Sequence, residues 1–220
     1  MKHILLHTVI ILCSCKGYCQ DNFRKNYFKI SEFKKGKIYK FIDIKNKGNI
    51  HKWKMYYKIE SSDTIFHTDV LDNKNRIIEV FIEKLQGDGT KMIGYQTINF
   101  DSIGLSQKVN YDIMSDNIYK YNQEKYPLVW SVSSSGQYGR KKVTKKRALV
   151  SKNESQDIYK KHYNCLVFKD EFIIEYLDMD QVYKFYQLSY YAKNFGIVRY
   201  NRFMPDGKEL DYRLHKIIMD

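Results

Sequence analysis

Along much of the chain apolar and polar residues alternate with a period of two, and short clusters of turn-forming residues separate the runs. In KWKMYYKIE, Trp53, Met55, Tyr57 and Ile59 alternate with Lys52, Lys54, Tyr56, Lys58 and Glu60. Successive side chains of a strand point to opposite faces, so the first set is expected in a core and the second in water. Leu105, Val109, Tyr111 and Ile113 repeat the pattern against Ser106, Lys108, Asn110 and Asp112, with Gln107 as the one polar interruption. Further runs cover 37–44, 64–71, 76–85, 90–100, 128–134, 163–169, 182–192, 195–203 and 209–219. The joints Asn46-Lys47-Gly48-Asn49, Ser61-Ser62-Asp63, Asp72-Asn73-Lys74-Asn75, Gly87-Asp88-Gly89 and Pro205-Asp206-Gly207 supply residues that accept a positive φ or preset a turn. Joints this short force neighbours to pair antiparallel, so 37–113 predicts an up-and-down meander. Only 21–35 and 115–125 read as weakly helical, because both lack the alanine and leucine of a strong helix. The pattern predicts a single antiparallel β domain over 37–220, preceded at 20–36 by a tether or short helix.

The N-terminus has a different character. Met1-Lys2-His3 is a short basic start and Ile4–Leu12 (ILLHTVIIL) a largely apolar run, too short for the roughly 20 residues that span a bilayer. It reads as an export signal. Two processing routes fit the cysteines that follow. Leu12-Cys13-Ser14-Cys15 is similar to a bacterial lipobox, with cleavage after residue 14 and lipid on Cys15; alternatively, signal peptidase removes 1–19 and leaves Gln20 first. Cys13 is lost either way. A zinc or redox site would need further ligands at set spacing, and no second cysteine cluster follows. Cys165, within YNCLVF, reads as a small buried hydrophobe. A Cys19–Cys165 disulfide would need the lipobox route, which alone retains Cys19.

Charge changes the picture less than its size suggests. Residues 1–19 carry Lys2 and Lys16 and no acid, so their removal takes the formal charge from +13 to +11. Such a chain favours anionic partners. Yet Lys, Asn, Ile and Tyr are all abundant while Ala148 and Ala192 are the only alanines, a bias that an AT-rich genome produces without selection for binding.

Ser189–Phe203 (SYYAKNFGIVRYNRF), together with YNCLVF upstream, resembles the C-terminal part of β-rich exported proteins of Gram-negative bacteria related to lipoprotein-localisation-factor-like folds. The resemblance covers 163–203 and is a turn and packing pattern, with Gly196 letting the chain reverse or bulge. It implies an all-β, strongly curved antiparallel meander sheet, a half-barrel or open barrel with one or two short helices, closing over an apolar concavity that holds acyl chains or an extended partner.

Candidate chemistry is sparse. Glu79 and Glu83 share a strand face about 13 Å apart, beyond both glycosidase carboxylate spacings, and read as solvated edge charges. Asp178 and Asp180, with Glu175 nearby, are too few for a calcium loop. His51, His67, His162 and His215 have no metal-ligand spacing, and Ser133-Ser134-Ser135-Gly136 lacks a nucleophile elbow. No metal or cofactor is expected, and no enzyme. The basic segment Arg140, Lys141, Lys142, Lys145, Lys146 and Arg147 would suggest nucleic acid in a cytosolic protein, but it has no interleaved aromatic and follows an export signal. It reads either as a solvated hairpin or as a rim attracted to an anionic membrane surface. Tyr183, Phe185, Tyr190, Tyr191 and Phe195, within the densest aromatic patch, are the candidate ligand contacts. The expectation is therefore a periplasmic or outer-membrane protein, lipid-anchored at Cys15, that binds an apolar ligand, lipid or lipidated partner without chemistry. The alternatives are a structural protein with a filled core and a secreted hydrolase.

Overall fold

The computed structural model describes residues 23–136 and 139–220. The signal segment and Cys13, Cys15 and Cys19 lie outside the described residues. The strands are β1 (Lys37–Asp43), β2 (Ile50–Glu60), β3 (Asp63–Leu71), β4 (Ile77–Gln86), β5 (Gly89–Phe100), β6 (Ser106–Asn110), β7 (Asp112–Lys120), β8 (Leu128–Gly136), β9 (Gly139–Ile158), β10 (Lys161–Tyr176), β11 (Gln181–Ala192), β12 (Gly196–Phe203) and β13 (Glu209–Met219). Each runs antiparallel to its neighbours, and β13 returns to pair with β1. β6 pairs with the far half of β5, while β7 pairs with the start of β5 and with β8. The two share one place in the ring, so thirteen strands make twelve staves.

The ring is a closed barrel rather than the half-barrel or open barrel that the sequence suggests. The seam explains why. Its register sets Phe41 opposite Leu214 and Asp43 opposite Tyr212, and Phe41, Leu214 and Tyr212 are all buried. Closure also satisfies the backbone groups that two free edges would expose. Serines 61 and 62 both take positive φ (46° and 78°), as do Asn75 (61°) and Gly207 (80°), so the expected turns stand where their residues put them. Tyr159 and Lys160 make another such turn (52° and 63°) with residues that give no turn signal. The stretch 115–125 is mostly strand, followed by a 3-10 turn at Gln123–Lys125. Burying Tyr119 completely and pairing on both sides outweighs its weak local helical preference. Outside the barrel, Lys91–Asp116 and Lys169–Glu171 pair at 3.1 and 2.8 Å on exposed faces.

The segment expected as a tether enters the barrel. It forms 3-10 turns at Phe23–Asn26 and Ile30–Phe33 and buries Phe23, Tyr27 and Phe33. Tyr27 meets Tyr119 at 5.1 Å between ring centroids, and Phe33 meets Phe66 edge-on at 5.4 Å. Each fully buried aromatic contributes about 1.5–3 kcal/mol. Polar contacts fix the depth: Phe23 N donates to Tyr121 O (2.9 Å), Asn26 Nδ2 to Tyr191 O (3.1 Å) and Asn194 N to Lys25 O (2.8 Å). Residues 23–33 are thus a plug at the end of the barrel that carries the β7–β8 and β11–β12 connections.

Gly196 is where plug and wall come closest. Its φ is +73°, and a Cβ there would lie 2.3 Å from the Phe28 ring. Gly207 has a similar φ, +80°, but nothing within 4 Å. Gly207→Ala should therefore cost about 1–2 kcal/mol from backbone strain alone, and Gly196→Ala clearly more, because the plug must also move. Chemical denaturation of the two variants measures the difference; equal losses would show that Phe28 yields freely.

Candidate functional site

Above the plug the lumen is not filled. A cavity of about 370 Å³ remains, within the range of small-ligand sites. Trp53, Phe81, Trp130 and Phe172 form its apolar walls. Both tryptophans of the chain are among them.

One wall is polar and continuous across four staves. Arg147 on β9 grips Asp170 on β10 with two bonds, Nε to Oδ1 at 2.6 Å and Nη2 to Oδ2 at 2.9 Å. Lys145 approaches Oδ2 at 3.1 Å, and Ser189 on β11 donates to it at 2.7 Å. Gln187 Nε2 donates to Ser189 Oγ (2.8 Å), and Arg202 on β12 donates to Gln187 Oε1 from Nε (3.2 Å) and Nη2 (3.0 Å). Asp170 is fully buried, which alone would raise its pKa, but Arg147 and Lys145 outweigh burial and hold it at about 2. Burial, and then the neighbouring Arg147, bring Lys145 down to about 8. His51 also faces the cavity; burial and then Arg202 lower it to about 4, so it is neutral at pH 7. Its Nδ1 lies 2.7 Å from the Tyr200 hydroxyl.

Two carboxylates on β4 line the same cavity. Glu83 accepts a hydrogen bond from Tyr27 of the plug (2.7 Å), and Glu79 accepts one from Tyr95. Burial raises both pKa values above the ordinary range, against the pull of the hydrogen-bonding tyrosines and of the lumen cations. The sequence reading of them as solvated edge charges is thus overturned. On β4 the inward face is mixed, with Glu79 and Glu83 turned to the lumen on either side of Phe81.

Strand alternation also divides the basic segment. Lys141, Lys145 and Arg147 turn inward, Lys141 over the Tyr176 ring at 5.5 Å and the other two onto Asp170. Arg140, Lys142 and Lys146 face out, and Arg140 is tied to Asp178 (2.7 Å) and Lys142 to Glu175 (3.7 Å). The segment is neither a solvated hairpin nor a continuous basic rim, because every second side chain points into the barrel. Asp178 serves this turn rather than a calcium loop.

The aromatic candidates scatter for the same reason. Tyr191 lines the cavity beneath Arg147. Phe185 stacks on Phe172 (4.7 Å, 7°) just behind the wall. Tyr190 faces outward, buried under Arg199 at 4.8 Å. Tyr183 is exposed against Tyr176 at the end away from the plug, and Phe195 sits in the β11–β12 turn against Tyr163. Asp170, Arg202, Glu79, Glu83 and His51 were not singled out as ligand contacts from the sequence. In LVFKDEFII, strand alternation puts Asp170 on the same face as Phe168 and Phe172 while Lys169 and Glu171 fall on the other, and that was the available signal. Cys165 is buried and unpaired among the described residues, its thiol raised to about 12 by burial, as expected of a small hydrophobe; the Cys19 partner considered for it lies outside them.

No family model and no curated protein matches the chain. Two crystal structures are similar to it. One is described as a proposed lipoprotein of Parabacteroides distasonis, 14% identical, with 88% of this chain and 98% of that one covered and a TM-score of 0.56. The other is described as a proposed exported protein with a YmcC-like fold from Bacteroides fragilis, 13% identical over 83% of this chain and 94% of that one, with a TM-score of 0.49. At this identity the first likeness establishes the fold. Neither description names a localisation factor.

Glu83 gives the site a pH signature. Its pKa is raised on folding, so the stability it contributes is present below the unfolded value near 4.5 and is lost as pH rises through the folded value. Glu83→Gln keeps an acceptor for Tyr27 and removes the ionisation. The variant should gain stability relative to wild type between pH 4.5 and pH 8, read as the difference in melting temperature. A difference that does not change with pH would show that the carboxyl is not desolvated.

Proposed function

We propose that this is an exported envelope protein whose barrel lumen binds one small amphipathic ligand without chemical transformation. The cavity carries the reading: aromatic walls face a polar wall, above a plug that shuts one end. Its volume suits a single short chain better than a lipid with two acyl chains. Export is supported by the basic start and apolar run before the lipobox-like Cys15.

The described chain starts at Phe23, in the plug. A lipid on Cys15 would therefore turn the plugged end toward the membrane. That end has a cleft of about 420 Å³ bordered by Lys25, Lys152, Lys193 and His162, a better seat for anionic headgroups than the divided 140–147 segment.

One observation favours a second, enzymatic reading. Glu79, Glu83 and Lys145 surround one cavity with pKa values displaced toward neutrality, as general acids and bases require. Binding ranks first because each of the three already has a partner within the protein.

Trp53 and Trp130 make the main test direct. Adding decanol should shift tryptophan emission and raise the melting temperature by mass action. Thr68→Phe, which fills the cavity from β3, should weaken both effects while the fold persists; an unchanged response would place the probe elsewhere. Export has its own test, in which labelled palmitate enters the wild type and not Cys15→Ser; a processed chain starting at Gln20 would overturn the anchor.

A further inference from the structure

Three cations line the cavity: Lys145, Arg147 and Arg202. Asp170 pairs directly with both of the first two, which leaves that cluster one net positive charge. Arg202 differs, because among the described residues it makes no ion pair and its only hydrogen-bond acceptor is the neutral Gln187 Oε1. Of its three nitrogens, Nε and Nη2 are used and Nη1 has no acceptor among the described residues. The guanidinium is also held in place, lying 5.5 Å from the Phe185 ring and 5.8 Å from the Tyr200 ring. Glu79 faces the same cavity and feels the Arg202 charge, but it accepts its hydrogen bond from Tyr95 and makes no ion pair with Arg202. His51 is neutral and adds a ring nitrogen beside Tyr200 rather than a charge.

A half-buried guanidinium held in place with a donor to spare is suited to a planar or tetrahedral oxyanion. We propose that Arg202 is an anion-recognising subsite, so that the lumen ligand is an amphiphile with a carboxylate or phosphate head at Arg202 and its apolar part among Trp53, Phe81, Trp130 and Phe172. This rests on the lumen-binding reading and specifies the ligand class for the same cavity. The neighbouring Asp170 group holds the geometry, and its one excess positive charge adds to the attraction for an anion at Arg202. Its cations are committed to Asp170, and the Gln187 amide relays that order to Arg202 through Ser189.

The experiment compares three probes of equal chain length, decanol, decanoate and decyl phosphate, by calorimetry and tryptophan emission on the purified protein. Wild type should bind one or both anionic probes at least about tenfold more tightly than decanol, the size of one charge-assisted contact. The better of the two identifies the head. Arg202→Gln should abolish that preference, read as the ratio of anion to decanol affinity within the same variant; Arg202→Lys, which keeps the charge and loses the fork, should fall between and carries the test if the Gln variant fails to fold. Equal affinity of wild type for decanol and both anions, or an anion preference that survives in Arg202→Gln, would overturn the subsite while leaving the lumen reading standing. Binding of none of the three probes would overturn both.

Discussion

Twelve staves enclose more space than their own side chains can fill, and most of what is distinctive in this molecule follows from that one geometric constraint. A barrel of about eight strands is just wide enough for inward side chains to meet across the axis. At twelve the surplus must be occupied or left open, and this chain does both. The first described residues supply the filling as a row of aromatics, Phe23, Tyr27, Phe28 and Phe33, against Phe66, Tyr119 and Tyr39. Gly196 marks how closely the filling fits, since even one added methyl group would overlap the Phe28 ring. Beyond the reach of the plug the surplus remains as the cavity.

Charge inside the barrel is arranged so that burial is tolerable. Asp170 holds two cations, Arg147 and Lys145, and receives a hydroxyl from Ser189, which satisfies nearly all of its acceptor capacity. Such a cluster is weak evidence for stability, because desolvating three charges offsets most of their attraction. Its value lies in position. It fixes the rotamers of the staves that bear Gln187 and Arg202, so the cavity wall keeps its shape without relying on flexible side chains.

The sequence made the local structure legible and the interior much less so. Strand boundaries could be read wherever one face met a core and the other met water, as in Trp53, Met55 and Tyr57, and turns wherever the residues themselves favour positive φ, as at Ser61-Ser62 and Gly207. Closure depends on β1 meeting β13 across the length of the chain, and no local pattern encodes that pairing. The long strand β9 escaped notice because RKKVTKKR is polar at nearly every position, so its period of two has no contrast in hydropathy, although Val143 and Arg147 are both buried. The lumen carboxylates were misplaced for the converse reason: Glu79 and Glu83 look like exposed positions until the barrel gives them an inner wall that is itself partly polar. The candidate aromatics were drawn from one dense stretch, and alternation then sent Tyr190 outward and Tyr191 inward.

A cavity of this composition sets conditions on anything that enters it. Its 370 Å³ has room for roughly a dozen waters at about 30 Å³ each. Those along Trp53, Phe81 and Trp130 have few protein partners, so an apolar group that displaces them gains free energy. Those against Arg202 and Gln187 would face strong donors and acceptors, and displacing them with hydrocarbon leaves buried polar groups unsatisfied at about 1–3 kcal/mol each. A wholly apolar ligand would gain at one wall and lose at the other. A ligand that is apolar along most of its length and polar at one end would avoid that loss, and the same asymmetry would fix its orientation, with the head against β11 and β12 and the chain across the tryptophans on β2 and β8.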